Sequence, residues 1–209
     1  IPHTWNAIDG QDGGDDYKRG TCTYTLALQK PAFDPDTQEV WIEFDGVNAS
    51  AQVSLNGQEV CSHDGGYSTF RANLTGLLAD ENELVVKADN SKNDRVYPQM
   101  ADFTFYGGIY RDVSLLVVNK AHFALDYLGS SGIRVTATPE GAGAKVRVQS
   151  RVTAGDVTVT LIDRKGRVVG TGTGLDTTIE MAKARRWHGV EDPYLYIARC
   201  EVTVDGSVT

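Results

Sequence analysis

Nowhere does the chain sustain a helical period. Its apolar residues come in short runs, rich in Val, Thr and aromatic residues and closed off by Gly, Asp, Asn or Pro, the pattern of β-strands joined by tight turns. The segments Thr21–Leu28, Glu39–Asp45, Ser50–Leu55, Thr69–Leu74, Asn82–Asp89 and Ile109–Val117 read as strands. Asn56-Gly57, between Gln52–Leu55 and Gln58–Val60, is a two-residue hairpin signal, because a type I′ turn needs positive φ at both central residues. Only Leu74–Asp80 has room for a helical turn. Strands of this length and spacing predict a two-sheet sandwich or jelly roll.

Beyond about residue 119 the alternation becomes cleaner. In Ala144–Val152, Val146, Val148 and Val152 share one face, while Lys145, Arg147, Gln149 and Arg151 share the other. A one-residue slip would invert the set, so register is well specified, and the basic face is left for solvent or a domain contact. Asp156–Asp163 repeats the pattern with Val157, Val159 and Leu161 inward. With Phe123–Leu128, Ile133–Thr138, Arg167–Gly170, Thr177–Met181 and Tyr194–Val204, this makes about seven strands, which predicts an immunoglobulin-like sandwich without the Cys…Trp…Cys spacing of antibody domains.

Charge divides the chain at the same place. Residues 1–118 carry 8 Lys/Arg and 18 Asp/Glu, net −10; residues 119–209 carry 12 and 10, net +2; together they give the overall −8. Thirteen of the 18 Phe, Trp and Tyr also precede residue 119. The expected organisation is an all-β chain with domains at 1–118 and 119–209. Net acidity disfavours nucleic acid as a partner, and no apolar run is long enough for a membrane-spanning helix. Cys22, Cys61 and Cys200 are an odd, sparse set that suits a reducing compartment.

The segment Asn90–Gly108 breaks the strand rhythm for 19 residues, a length usually reserved for functional or disordered connections. Its Tyr97, Phe103, Phe105 and Tyr106 argue against disorder, since aromatic rings want burial or a ligand. Asp102 sits among them, and a carboxylate framed by rings suits a sugar: rings stack on the apolar face of a pyranose while the carboxylate accepts from hydroxyls. A folded-back loop that plugs the end of the sandwich reads the same residues equally well. The run Asp9–Asp16 holds four carboxylates in eight residues; its spacing fails the calcium-loop pattern and reads as a Gly-rich solvated turn. The segment Pro2–Asn6 before it should plug Trp5 into the domain, with His3 structural. His63, His122 and His188 lack partners at metal-ligand spacing, no nucleophile or phosphate-loop motif is present, and the pairs Asp15-Asp16 and Glu191-Asp192 read as solvated turn residues rather than a glycosidase dyad.

These residues resemble a known family. Pro2–Asn6, Asp9–Gly14 and Asp16–Gly20 are similar to the opening of glycoside hydrolase family 2 enzymes of the β-galactosidase type. Phe44–Val47 through Val53–Gly57, Gly65–Phe70 and Gly107–Val113 follow in the same order, and Trp187–Gly189 with Asp192–Tyr196 resembles the end of that family's immunoglobulin-like domain. The resemblance implies a sugar-binding jelly roll followed by an immunoglobulin-like sandwich, both preceding a (β/α)₈ barrel that carries the two catalytic Glu residues of a retaining mechanism. A barrel needs about 250 residues, so the resemblance implies a piece of a larger enzyme, with chain ends that look cut and a last strand of the second domain beyond Thr209.

Family members place an Asp a few residues before the Gly-Ile-aromatic-Arg-Asp-Val motif, on a loop that reaches into the barrel's active site. There it binds a substrate hydroxyl and, in some β-galactosidases, a sodium ion. Counting back from Gly108–Val113 lands on Asp102, which the resemblance makes both substrate ligand and metal ligand. Asp16 and Tyr17 are implied as a second substrate contact, Arg111 and Asp112 as a structural pair, and Gly65-Gly66 as a turn requiring positive φ. The implied partners are a β-galactoside and the barrel of the same polypeptide, with a homo-oligomer compatible and Na or Mg as cofactor in the full-length enzyme only. A β-glucuronidase or β-mannosidase, or a free-standing carbohydrate-binding module, are the alternatives. Localisation stays open, cytoplasmic favoured over periplasmic or secreted.

Overall fold

The computed structural model describes residues 1–9, 17–99, 101 and 103–209, which form two compact units, Ile1–Val118 and Asn119–Thr209. Among the described residues every regular element is a strand, and the architecture is a jelly-roll sandwich and an immunoglobulin-like sandwich.

In the first unit one sheet has the order β1 (Thr21–Gln29), β6 (Glu81–Asp89), β3 (Ser50–Leu55), β4 (Gln58–Asp64). The other has β5 (Phe70–Asn73), β2 (Gln38–Phe44), β7 (Val113–Asn119). The β3–β4 hairpin turns at Asn56-Gly57 with φ of 53° and 79°, the doubly positive geometry that the dipeptide predicts. Alternation in β6 buries Asn82, Leu84, Val86 and Ala88 and exposes Glu81, Glu83 and Lys87. The core joins Ile42, Phe44, Val47, Val53, Leu55, Leu74 and Ile109, with Phe44 stacked on Phe70 at 4.8 Å and 10°. Leu78 N donates to Leu74 O at 3.2 Å, a single helical turn and no more.

In the second unit β12 (Asp176–Met181), β9 (Gly143–Ser150) and β8 (Ile133–Glu140) face β11 (Val168–Thr173), β10 (Asp156–Ile162), β13 (Ile197–Val204) and β14 (Ser207–Val208). Val146, Val148, Val157, Val159 and Leu161 are buried as the alternation requires. The opposite face of β9 is laced to its neighbours: Arg147 grips Asp176 through two nitrogens at 2.8 and 2.5 Å, and Lys145 reaches Glu140 at 3.1 Å. Arg151 lies over the Tyr127 ring at 3.8 Å.

Several sequence expectations need correction. Phe123–Leu128 is not a strand; Phe123 makes one isolated bridge to Val152, and the chain then turns through Leu128 and Gly129 at φ of 53° and 63°. Apolar alternation misled there, because turn geometry at the end of the run overrode it. The strand expected at Ile109–Val117 starts at Val113, since Gly108 instead bridges to Asn48 and Ile109 O accepts from His3 N. The strand expected from Tyr194 starts at Ile197. Arg111 donates to Asp45 O and Tyr67 O at 3.3 and 3.2 Å rather than pairing with Asp112. Gly65 has a positive φ of 135°, but Gly66 is small for another reason: a Cβ there would meet Asn48 Oδ1 at 2.1 Å.

The stacked pair at the centre of the jelly roll sets an expected cost. Phe44→Ala removes a ring that is 1% exposed and should destabilise the first unit by about 3–5 kcal/mol. Leu26→Ala, at a position 54% exposed, should cost under about 1 kcal/mol. Urea unfolding followed by tryptophan fluorescence checks both.

Candidate functional site

The site grows out of how the amino-terminal segment is tied to the loop after β6. Asn6, 1% exposed, donates from Nδ2 to Phe105 O at 3.0 Å and accepts on Oδ1 from Gly107 N at 2.7 Å. One carboxamide thus satisfies a donor and an acceptor of a backbone stretch that belongs to no strand. Trp5 lies against Gly107, where a Cβ would come within 2.5 Å of the indole, and its Nε1 donates to Lys18 O at 3.1 Å. His3 completes the lacing through N to Ile109 O at 2.7 Å and Nδ1 against Tyr24 Oη at 2.9 Å. Burial raises the Tyr24 phenol above its ordinary value.

A second buried carboxamide holds the loop's other root. Asn90, 4% exposed, donates to Lys18 O at 3.0 Å and accepts from Gly20 N at 2.9 Å. Arg19 then reaches Asn90 O and Gln99 O at 3.0 and 2.9 Å. So residues 17–20 and 90–99 are one hydrogen-bonded piece.

Between these roots lie the aromatic residues. Tyr17 donates its hydroxyl to Phe103 O at 3.2 Å and tilts against Phe105, while Phe103 packs on Phe105 at 4.8 Å between centroids. Thr104 donates to Asp9 O at 3.0 Å, and Lys18 N donates to the Asp9 carboxylate at 2.7 Å. Phe105 is 5% exposed, yet Phe103 is 51% and Tyr97 84% exposed. The loop therefore has two sides: Phe105 and Val96 are buried, while Phe103, Tyr97 and Tyr106 offer open rings, surfaces suited to the apolar face of a sugar.

At the near end of β4, Asp64 receives the loop's first half. Its Oδ1 accepts from Ser50 Oγ at 2.7 Å and Asn93 Nδ2 at 3.0 Å, and its Oδ2 from Arg95 Nε at 2.7 Å. The Arg95 and Ser50 hydrogen bonds hold the Asp64 carboxyl below the usual carboxylate range. Beside it, His63 stacks on Phe70 at 4.4 Å and meets Ser68 Oγ at 2.9 Å, and burial pushes its imidazole pKa down.

Of the residues singled out from sequence, Tyr17 is brought against the loop, joining two segments far apart in the chain. Asp102 and Asp16 lie outside the described residues, as do Asp12 and Asp15 of the acidic run. Among the described residues, no cluster of three His, Cys, Asp or Glu side chains could hold a metal. Sequence reasoning missed Asn6, Asn90, Asp64, Asn93 and Arg95, all of them polar residues whose burial or partners are set by distant chain.

Residues 11–119 match the family described as glycosyl hydrolases family 2, sugar binding domain. A β-glucuronidase from Bacteroides fragilis is 35% identical over 99% of the chain, which covers 32% of that relative. A β-galactosidase from Thermoanaerobacter pseudethanolicus is 27% identical over 82% of the chain, covering 24% of that relative. Among solved structures, an FMN-binding β-glucuronidase from Faecalibacterium prausnitzii superposes with a TM-score of 0.89 at 36% identity, over 100% of this chain and 34% of that one. The chain spans about a third of the length of the first of these relatives.

Two outcomes follow from the site's bonding. Asn6→Ala orphans a buried carbonyl and a buried amide together and should lower the stability of the first unit by about 2 kcal/mol or more, read by urea unfolding. Because Asp64 is depressed in the folded state, its contribution is complete above the unfolded carboxylate pKa and lost only as pH falls through the folded value. The NMR shift of the Arg95 Nε–H should therefore hold steady through the ordinary carboxylate range and move only at more acidic pH.

Proposed function

The chain belongs to glycoside hydrolase family 2, and on that premise we propose that it is the non-catalytic, N-terminal part of a retaining β-glycosidase. The jelly-roll unit presents its aromatic loop to a catalytic barrel carried elsewhere in the polypeptide. The observation that supports this best is the double carboxamide latch: Asn6 and Asn90 fix both roots of a loop whose outer rings stay open. A loop that served only as a plug would have no use for rings facing solvent, whereas a subsite needs them held in place.

In this reading Asp102 accepts a hydrogen bond from a glycone hydroxyl and offers an oxygen to a sodium ion, with Asp16 as a neighbouring contact. Tyr17 spends its proton on Phe103 O, and its oxygen keeps a lone pair for a sugar hydroxyl. The two catalytic carboxylates belong to the barrel, so this chain binds and orients without breaking the glycosidic bond.

A terminal β-glucuronide is the favoured glycone, because the relatives at 35% and 36% identity over 99% and 100% of the chain bear β-glucuronidase names. A β-galactoside is the second reading, supported by the ordered motifs and by the Thermoanaerobacter relative.

Nitrophenyl β-glucuronide and nitrophenyl β-galactoside distinguish the two when offered to the full-length polypeptide. The glucuronide should be cleaved faster, and residues 1–209 alone should release nitrophenol from neither. Turnover by residues 1–209 would overturn the assignment of chemistry to a barrel. Asp102→Ala in the full-length enzyme should lower kcat/KM about 10- to 100-fold; an unchanged value would remove Asp102 from the site.

A further inference from the structure

Asp64 stands on β4, outside the loop and outside the residues assigned to sugar, yet it is the point where the sheet takes hold of the loop's first half. It closes a row of residues that register sets side by side across the sheet, Thr21 on β1, Asp89 on β6, Ser50 on β3 and Asp64 on β4. Thr21 Oγ1 donates to Asp89 at 2.5 Å, and Ser91 N donates to the other Asp89 oxygen at 2.6 Å. Asn93 Nδ2 then bridges Ser50 Oγ and Asp64 Oδ1, each at 3.0 Å.

From Asn93 the bonding runs towards the site. Asn93 N donates to Gln99 Oε1 at 3.1 Å, and Gln99 Nε2 returns to Asn93 O and to Val96 O. Gln99 O accepts from Arg19, which also holds Asn90 O. The turn from Asn93 to Gln99 is therefore clamped internally by Gln99, to the sheet by Asp64, and to residues 17–20 by Arg19. The Asp64–Arg95 pair is exposed, with side-chain exposures of 33% and 75%, so its worth as an ion pair is small. What it supplies is geometry.

We propose that Asp64 is a positioning residue for the substrate loop: it accepts from Asn93 and Arg95 and thereby fixes the path of residues 93–99. The inference rests on the reading that this loop lines the sugar site. The donor set explains why a carboxylate is required. Both Asp64 oxygens are already used as acceptors, so an amide in either orientation would turn an NH₂ towards Ser50 and Asn93 or towards Arg95. Asp64→Asn therefore keeps the shape and breaks the hold.

The test uses the full-length enzyme below its melting temperature, with Thr21→Val as the control, since that change removes a hydrogen bond from the same cross-strand row without touching residues 93–99. Asp64→Asn and Asn93→Ala should each lower kcat/KM about tenfold, as loss of loop placement does. The double variant should be no worse than the worse single one, because both break the same link, and Thr21→Val should stay within about twofold. Amide exchange over residues 93–99 should quicken in Asp64→Asn and not in Thr21→Val.

Unaltered kcat/KM in Asp64→Asn, in an enzyme that Asp102→Ala disables, overturns the positioning role and leaves the loop's assignment standing. If Asp102→Ala also leaves the rate unchanged, the loop's assignment itself is overturned and the role of Asp64 with it. Equal losses in Asp64→Asn and Thr21→Val would reduce Asp64 to general stability and likewise overturn the proposal.

Discussion

The buried carboxamide of Asn6 is where the amino-terminal segment stops being a tail and becomes part of the domain. Its two hydrogen bonds, to Phe105 O and Gly107 N, supply partners to a stretch of backbone that belongs to no strand. An apolar residue there would leave both groups buried and unpaired. Everything outward of that lock depends on it, including the Trp5–Gly107 contact, the burial of Phe105 and the direction in which Phe103 points.

The jelly roll thus separates two jobs. Its core, built on Phe44, Val53, Leu55 and Leu74, supplies stability in the ordinary way, by apolar burial. Its end supplies a shaped surface through side-chain amides and carboxylates that bond to backbone, which costs conformational entropy but fixes direction. Asn6 and Asn90 anchor the roots of the loop, Arg19 and Gln99 tie its middle to residues 17–20, and Asp64 ties it to β4. In the proposed function, catalysis that depends on placing a sugar hydroxyl draws on such a frame.

Much of the fold was legible from local chemistry. Asn56-Gly57 specifies its hairpin because φ must be positive at both residues, and the Val146/Val148 alternation specifies a face because the period of a strand is two. Phe123–Leu128 was misread for the same reason, alternation taken without regard for the turn at Leu128-Gly129. The site was legible only as composition: aromatic residues and Asp102 in a long connection, with a family resemblance to give them a role. Asn6, Asn90 and Asp64 were not legible, because in sequence they look like any turn residue. Asn6 and its acceptor are 99 residues apart, and nothing local marks a residue that will be buried by so distant a partner.

In the proposed function, the connection between β6 and β7 lines the sugar site. Hydrogen exchange of the full-length enzyme, with and without a saturating competitive inhibitor that carries the glycone, tests this most directly. Added protection should concentrate in residues 91–106, with β9 and β10 of the immunoglobulin-like unit unchanged. Protection confined to the barrel, with residues 91–106 exchanging at the same rate in both states, would contradict it.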